Sequence, residues 1–282
     1  MDGAIVSPPA ARVKGENMYN EPGTPARPSK LEAALDEAAK LMAKTRCVMA
    51  FTGAGISAES GVPTFRGQGG IWDRYDERHL EIGFFRREPE KAWPTIREIF
   101  YSLAASYEPN DAHRVLAGWE RSGRLDFTVT QNIDGLHRRA GSRRLAEFHG
   151  ATTDLVCMSC GRRAAATEAA LTELPPRCSC GGVYKPDFIF FGEGIPRDAY
   201  EASFAAAERA DLCLVIGSTG TVYPAASVPR RVKERGGSII EINPEPSEFT
   251  RDIVDAFVAS GASYALRSLD GRMRAYGWEP AL

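Results

Sequence analysis

Apolar residues along this chain follow two periods, and the two alternate. Leu31, Leu35, Ala38 and Met42 recur at helical intervals, so a helix is predicted from near Lys30 to near Lys44. Ser29-Lys30-Leu31-Glu32 at its start has capping-box spacing. Next comes Cys47-Val48-Met49-Ala50-Phe51, a short unbroken apolar run that stops at glycines, as a strand buried on both faces would. Similar runs are Phe127-Thr128-Val129-Thr130, Leu212-Cys213-Leu214-Val215-Ile216 and Ser238-Ile239-Ile240-Glu241-Ile242. Each follows a helix-like stretch: Asp111 to Arg121, Asp198 to Arg209 and Pro224 to Arg235. Helix and strand in alternation predict an α/β fold, a Rossmann-like parallel sheet with right-handed crossovers.

Two stretches break this rhythm. Residues 66–108 are aromatic-rich and look helical, with prolines at 89 and 94, and residues 151–186 carry a cluster of cysteines. Both are expected to be insertions that form a smaller zinc-binding and helical lobe. The large domain is then expected to take 31–65, 109–150 and 187–270. Residues 1–30, with five prolines, three glycines and little apolar periodicity, are expected to form a flexible tail.

Composition narrows the possibilities. The 282 residues are 43% apolar and 26% charged, ordinary for a globular chain, and the net charge is −2. That balance argues against a protein built to coat nucleic acid. Arg138, Arg139, Arg143 and Arg144 form a local basic cluster, read either as a solvated face or as an aid in attracting phosphates. No apolar run is long enough to span a membrane, and no secretory leader is visible. Of six cysteines, Cys157, Cys160, Cys178 and Cys180 lie within 24 residues. In a chain this large they suggest a metal site rather than a disulfide framework, and hence a reducing, cytoplasmic setting. The spacing Cys157-x2-Cys160-x17-Cys178-x-Cys180 is close to that of paired knuckles, with Gly161, Gly181 and Gly182 suited to tight turns. Four thiolates without a neighbouring histidine predict one closed, structural Zn²⁺ site; a redox disulfide is the alternative. Cys47 and Cys213 lie in apolar strands and are expected to be inert.

Gly53-x-Gly55-x-x-Ala58 directly follows a strand, the dinucleotide fingerprint in its Gly/Ala form. Gly53 would permit the turn, Gly55 the approach of a pyrophosphate, and Ala58 close packing of helix on strand. Strand-to-helix turns often carry glycines for no other reason. An ordinary dehydrogenase would also show an acidic residue ending a strand about twenty positions later. Asp73 and Asp76 are in range, but Gly67-Gln68-Gly69-Gly70-Ile71-Trp72-Asp73 is no strand. A second phosphate or ribose site is plausible at Gly217-Ser218-Thr219-Gly220, and Asn243 past the next strand could bond ribose hydroxyls. A plain strand-end turn and an Asn-Pro turn are the alternatives. Gln131, Asn132 and Asp134 follow strand 127–130, where side chains reach the ligand crevice. Either Asn132 or Asp134 could instead cap a helix running to Ala140, with Gly141 closing it. His149, in Glu147-Phe148-His149-Gly150, could be a structural histidine or a base.

The order of these motifs resembles the sirtuins, the NAD-dependent protein lysine deacylases, from about Leu31 to about Leu269. The stretch Gly53 to Trp72, the Thr130-Gln131-Asn132-Ile133-Asp134-Gly135-Leu136-His137 segment, the His149-Gly150 pair and the cysteine quartet carry the resemblance. It implies that NAD is a co-substrate held by Gly53, Ala54, Gly55, Ile56, Ser57, Phe65, Arg66, Trp72, Gln131, Asn132, Ile133, Asp134, Gly217, Ser218, Thr219 and Asn243, with Ala262 a further contact. In such enzymes an acyl-lysine carbonyl captures the ribose C1′ as nicotinamide leaves, and the ribose 2′-OH must then lose a proton. An imidazole suits that task at neutral pH, and His149 matches the family's base. Asn132 would position ribose or a water, Gln131 the ribose, and Ile133 and Asp134 the carboxamide.

The same resemblance implies that 185–193 pairs with an acyl-lysine peptide as an added strand, with Gly220 to Val222 on the other side. Ile189 would accept the lysine amide N–H, Phe191 would line the acyl tunnel, and Gly192 and Glu193 complete the segment. An ordinary buried strand is the alternative. Thr64 stands where many deacetylases of the family carry Asp, as in the branch that accepts acidic acyl groups. That branch holds the acyl carboxylate with a Tyr and an Arg; here Tyr101 is kept, but Ala104 stands at the arginine position. Neutral acyl groups are therefore expected. ADP-ribosyl transfer to protein and NAD sensing without turnover are the competing functions.

Overall fold

The protein is described by a computed structural model covering residues 29–64, 70–102 and 106–276. Of the expected tail, 1–28 lie outside the described residues, whereas Ser29 and Lys30 begin the first helix. Helix α1 (Lys30–Ala43) is capped by the Ser29 hydroxyl, which accepts the Glu32 N–H at 3.2 Å. The return half of the box is missing, because the Glu32 carboxylate pairs with Arg272 instead. Strand β1 (Val48–Thr52) follows.

Helices α2 (Ile82–Arg87) and α3 (Pro89–Phe100) build the helical insertion. The chain returns through α4 (Asp111–Arg121), β2 (Phe127–Thr130), α5 (Leu136–Ala140) and β3 (Leu145–Glu147). Strands β4 (Gly150–Cys157), β5 (Arg163–Ala165) and β6 (Tyr184–Phe188) form a separate small sheet. Then come α6 (Arg197–Arg209), β7 (Leu212–Ile216), α7 (Ser227–Glu234), β8 (Ser238–Asn243), α8 (Glu248–Asp252), β9 (Ala256–Ala259) and α9 (Ala262–Ala275). The helix expected from Pro224 starts at Ser227, and Pro224 lies in the turn before it.

The main sheet is six-stranded, in the order β3-β2-β1-β7-β8-β9, and every pair is parallel. Parallel strands need crossovers, and these put helices on both faces. Alternation along the strands assigns each side chain. Val48, Ala50, Leu212, Leu214 and Ile216 pack toward α1, α4 and α9, with Leu35, Leu116 and Leu266. Met49, Phe51, Cys213 and Val215 pack on the other face with Ala206, Val228 and Phe249. Each such fully buried large side chain contributes roughly 1.5–3 kcal/mol. A third core holds the small lobe: Phe85, Trp93, Leu155, Phe188 and Phe190, with the Trp93 indole N–H donating to the Tyr184 carbonyl at 2.9 Å.

At the carboxyl ends of β1 and β7 two backbone turns meet. The Gly53 N–H donates to the Ile216 carbonyl and the Gly55 N–H to the Gly217 carbonyl, each at 2.9 Å. A Cβ on Gly55 would lie 2.6 Å from the Gly217 Cα, and one on Gly217 would lie 2.4 Å from the Ile56 nitrogen. Gly217 also sits at φ +63°, in the left-handed region. The close approach that these glycines permit is thus, first of all, between two protein loops. We predict that Gly217→Ala lowers the unfolding free energy by on the order of 3 kcal/mol, left-handed strain and overlap adding together. Denaturant unfolding would measure it; an unchanged midpoint would contradict the interlock.

Candidate active site

Register places Thr52 of β1 beside Thr130 of β2 and Ile216 of β7. The loops leaving these three strand ends therefore converge, which is where open parallel sheets bind ligands. After Gly53, a 3₁₀ helix runs over Ala54–Ser60 and ends at Gly61 with φ +85°. The fingerprint anticipates an α-helix here with Ala58 packed on the strand. Instead Ala58 is exposed, and Ile56 and Ser57 turn inward. Gln131 ties two loops together, its Nε2 donating to Ser218 Oγ at 2.8 Å.

Polar groups behind this crevice form a chain. Asn132 Nδ2 donates to Ser57 Oγ at 3.1 Å, and the Ser57 hydroxyl donates to Asp134 Oδ2 at 2.7 Å. The other Asp134 oxygen accepts the Leu136 N–H at 2.9 Å. The N-cap of α5 is Gly135, with no side-chain cap; Asp134, one residue earlier, holds the first helical N–H and faces the crevice network at once, while Asn132 takes no part. Burial pushes the Asp134 carboxyl up, against four weaker stabilising interactions. Gly141 closes α5 with φ +103°, as expected. Beneath lie two buried histidines. His113 Nδ1 bonds Asn110 Oδ1 at 2.9 Å, and its Nε2 stands 3.4 Å from Ser57 Oγ. His137 Nε2 bonds Thr52 Oγ1 at 2.9 Å, the Thr52 hydroxyl donating onward to Thr130 at 2.8 Å. The two rings meet edge to face at 4.8 Å.

His149 follows β3. Its Nδ1 lies 3.0 Å from the Gln131 carbonyl oxygen. A carbonyl only accepts, so Nδ1 carries the hydrogen and Nε2 keeps a free lone pair. Burial lowers its pKa, outweighing the Gln131 bond. The His149 carbonyl accepts the Ile189 N–H at 2.8 Å. A cavity opens between the lobes, with Ala54, Asn132, Ile133 and Asp134 at one end and Val62, Ile99, Phe100 and Tyr107 as its apolar wall. Ile99, Tyr107 and His113 went unnoticed in the sequence; Pro109-Asn110-x-x-His113, a capped helix start with a histidine on its inner face, was the available signal.

Phe65, Arg66 and Ala104 lie outside the described residues. Trp72 sits on the small lobe, its ring 6.1 Å from that of Phe191. Asn243, at the end of β8, donates to the Ser218 carbonyl at 3.1 Å, and Thr219 is exposed. Ala262 is buried as the first residue of α9, where Glu59 accepts the next N–H, that of Ser263, at 3.1 Å. Tyr101 turns into the small-lobe core against Trp93, with the carboxylates of Asp154 and Asp187 adding to burial in pushing its phenol up. The basic cluster is largely paired: Arg138 with Glu147, Arg139 with Glu108 and Arg144 with Asp126.

The segment expected as one strand over 185–193 divides in two. Tyr184–Phe188 pairs with β4, after which Phe191 bridges to Glu81, with Phe191 N–H to the Leu80 carbonyl at 2.8 Å. Gly192 turns with φ +87°, and the Phe191 side chain stays half exposed. Glu193 accepts the Phe190 N–H at 2.8 Å and pairs with buried Lys185 at 3.0 Å. Across the crevice Gly220, at φ +75°, packs on Phe249, and Val222 is half buried.

The four clustered cysteines bring their sulfurs within 4.8 Å of one another. Cys157 and Cys180 lie 3.5 Å apart, Cys160 and Cys180 3.5 Å, and Cys160 and Cys178 3.8 Å. A tetrahedral ion with Zn–S of about 2.3 Å needs sulfur–sulfur edges of about 3.8 Å. The quartet fits one zinc ion. The tight second pair is accommodated by Gly181, at φ +85°, and by Gly182, where a Cβ would lie 2.8 Å from Cys157 Sγ.

Three comparisons with known proteins agree with this geometry. The Sir2 family model matches residues 53–224. An NAD-dependent protein deacylase of Thermococcus kodakarensis is 44% identical, covering 85% of this chain and 96% of its own. NAD-dependent protein deacetylase 1 of Pyrobaculum aerophilum is 41% identical, covering 85% and 95%. Among solved structures, a mutant Sir2 homologue in complex with ADP-ribose superposes with a TM-score of 0.81 at 37% identity, covering 86% of this chain and 98% of its own. A Sir2 mutant with deacetylated p53 peptide and 3′-O-acetyl ADP-ribose superposes with a TM-score of 0.80 at 32% identity, covering 87% and 99%. A Rossmann-like sheet, a small lobe with a four-cysteine site and a crevice between them define an NAD-type α/β protein. Within that class, the chain belongs to the Sir2 family.

Two predictions follow from the buried groups. Burial lowers His113 to about 4, with Arg114 adding to it, and lowers His137 to about 3, with His113 adding to it. Both fall below the unfolded value near ~6.5, so the unfolded chain binds more protons in acid. Their stabilisation is present above that value and is lost as pH falls toward about 4 and then about 3. For His113 alone the loss is on the order of 3 kcal/mol. Urea midpoints at pH 7 and pH 4.5 should drop accordingly; a flat profile would refute it. Cys178→Ser should lose zinc by elemental analysis and lower the melting temperature, as should a strong chelator.

Proposed function

We propose that the protein is an NAD-dependent protein lysine deacylase that converts acyl-lysine and NAD into lysine, nicotinamide and O-acyl-ADP-ribose. The observation that carries this reading is His149: a half-buried imidazole with Nδ1 fixed on the Gln131 carbonyl and Nε2 free, two residues past the carboxyl end of β3. NAD supplies the glycosidic bond that breaks, while the chain binds, orients and moves protons. His149 accepts the ribose hydroxyl proton at Nε2. Asn132, held by Ser57, positions ribose or the attacking group, and Gln131 bonds the ribose. Asp134 and the backbone at Ile133 hold the carboxamide. The loops 53–57 and 217–219, with Phe65, Arg66, Trp72, Asn243 and Ala262, complete the NAD site.

The peptide lies between 189–193 and 220–222 by strand addition, with the Ile189 carbonyl receiving the lysine amide. The large domain is formed by 31–65, 109–150 and 187–270, and the insertions 66–108 and 151–186 close the other side of the cleft. Its partners are acyl-lysine proteins in the cytoplasm, with no direct role for nucleic acid or membrane; no helix among the described residues is long and apolar enough to cross a membrane. Zinc keeps the small lobe folded and takes no part in the chemistry.

Nicotinamide release from NAD should require an acetyl-lysine peptide, and His149→Ala should reduce it by about 10²–10⁴-fold. Because burial keeps the imidazole neutral, the acid limb of kcat/KM should lie below the ordinary histidine value near ~6.5, activity falling as pH drops through it. Acetyl-lysine should be cleaved faster than succinyl-lysine. Release without peptide would favour ADP-ribosyl transfer, and NAD binding with no release from any acyl peptide would favour a sensor.

A further inference from the structure

A Rossmann site normally reads the adenosine ribose with an acidic residue about twenty positions past the glycines, and this sequence has none there on a strand. The structure holds such a carboxylate elsewhere. Glu241 lies on β8, fully buried, on the same strand face as Asn243 two residues later. Among the described residues no cation pairs with it. Its Oε1 accepts Asn243 Nδ2 at 2.7 Å, and its Oε2 accepts the Thr250 hydroxyl. The Thr250 oxygen is itself fixed by the Ser247 N–H at 2.8 Å, in the capping box of α8. A buried carboxylate without a cation costs several kcal/mol relative to an apolar residue of similar size. Its placement calls for a reason beyond packing.

The reason lies in the Asn243 amide. One of its hydrogens goes to Glu241 and the other to the Ser218 carbonyl at 3.1 Å. An amide has only those two donors. No described residue donates to Asn243 Oδ1, and this atom is absent from the buried polar atoms that lack a partner, so it meets solvent. The amide cannot flip without opposing its oxygen to a carboxylate and a carbonyl. Asn243 is therefore locked as a pure acceptor.

We propose that Glu241 is a positioning residue that makes this end of the site select an unphosphorylated adenosine ribose, NAD over NADP. A ribose hydroxyl donates to the fixed Oδ1. A 2′-phosphate has no hydrogen to give at neutral pH, and brings about two negative charges toward an acceptor backed by a buried carboxylate. The proposal rests on the deacylase reading, in which Asn243 contacts that ribose.

The test uses the full-length, zinc-loaded enzyme and an acetyl-lysine peptide, measuring kcat and KM for NAD, NADP and peptide. Glu241→Gln removes the charge but can still accept from Asn243 Nδ2. The NAD-to-NADP preference in kcat/KM should narrow several-fold, with the NAD KM within about twofold of wild type. Glu241→Leu removes the lock as well, and the NAD KM should rise on the order of tenfold without a matching rise in the peptide KM. An unchanged preference in folded Glu241→Gln overturns the proposal. So does a parallel loss in kcat and in both KM values, which is what a merely structural role would give. If wild type neither binds NAD by titration nor releases nicotinamide, the deacylase reading fails instead. Should Glu241→Leu not fold, Glu241→Gln still decides.

Discussion

Contact between two backbone turns, Gly53 to Gly55 and Ile216 to Ser218, is the constraint on which the rest depends. Neighbouring parallel strands deliver these turns to the same place, and side chains would hold them apart. With the glycines in place, β1 and β7 end in one bonded unit rather than two loose loops. Gln131 then joins that unit from β2 through Ser218, and Asn243 joins it from β8 through the Ser218 carbonyl. Four strand ends share one small set of hydrogen bonds. The floor of the crevice is in this way set by backbone geometry, and side chains only furnish it.

Under that floor Asn132, Ser57 and Asp134 are joined by hydrogen bonds next to His113, and a parallel chain runs from Thr130 through Thr52 to His137, both within otherwise apolar packing. Buried polar groups are costly unless partnered, so such chains fix one arrangement of the elements that carry them. Ser57 holds the 3₁₀ turn, Asp134 the start of α5, His113 the start of α4. The same groups that define the crevice wall thus define how the helices meet. Neutral histidines permit this at physiological pH without an uncompensated charge in the core.

Much of this was legible in the sequence, and the exceptions have physical causes. The four strand runs were plain because both faces of each are covered, so apolar residues dominate them and only Thr128, Thr130, Ser238 and Glu241 break the pattern. Strand β9 is a short apolar run, Ala-Phe-Val-Ala, that passed unnoticed, and the three-residue β3 at the other sheet edge is too short to show a pattern. Strand β4 reads Gly-Ala-Thr-Thr-Asp and then apolar, since it is only half covered. The fingerprint misled about Ala58, because the pattern presumes an α-helix where a 3₁₀ turn stands. The cysteine spacing was informative by itself, for four thiolates admit few other uses. Glu241 gave no signal in the sequence: an acid inside an apolar run looks like an interruption until its bonds to Asn243 and Thr250 are seen. Asp134 was read as either cap or ligand group; it is not the N-cap, but one oxygen holds the first N–H of α5 and the other the Ser57 hydroxyl.

One small bond links His149 to the strand proposed to dock the peptide. The His149 imidazole hangs from the Gln131 carbonyl, while its own carbonyl holds the Ile189 N–H. Ile189 in turn leads to Phe191, which is tied to Leu80 and Ile82 of the other lobe. His149, the strand after it and the helical insertion are therefore joined by one run of hydrogen bonds. On the proposed reading, a guest that seats badly on the strand would tilt the imidazole as well as lose contacts, so fit would register in the timing of the chemistry and not only in the tightness of the grip.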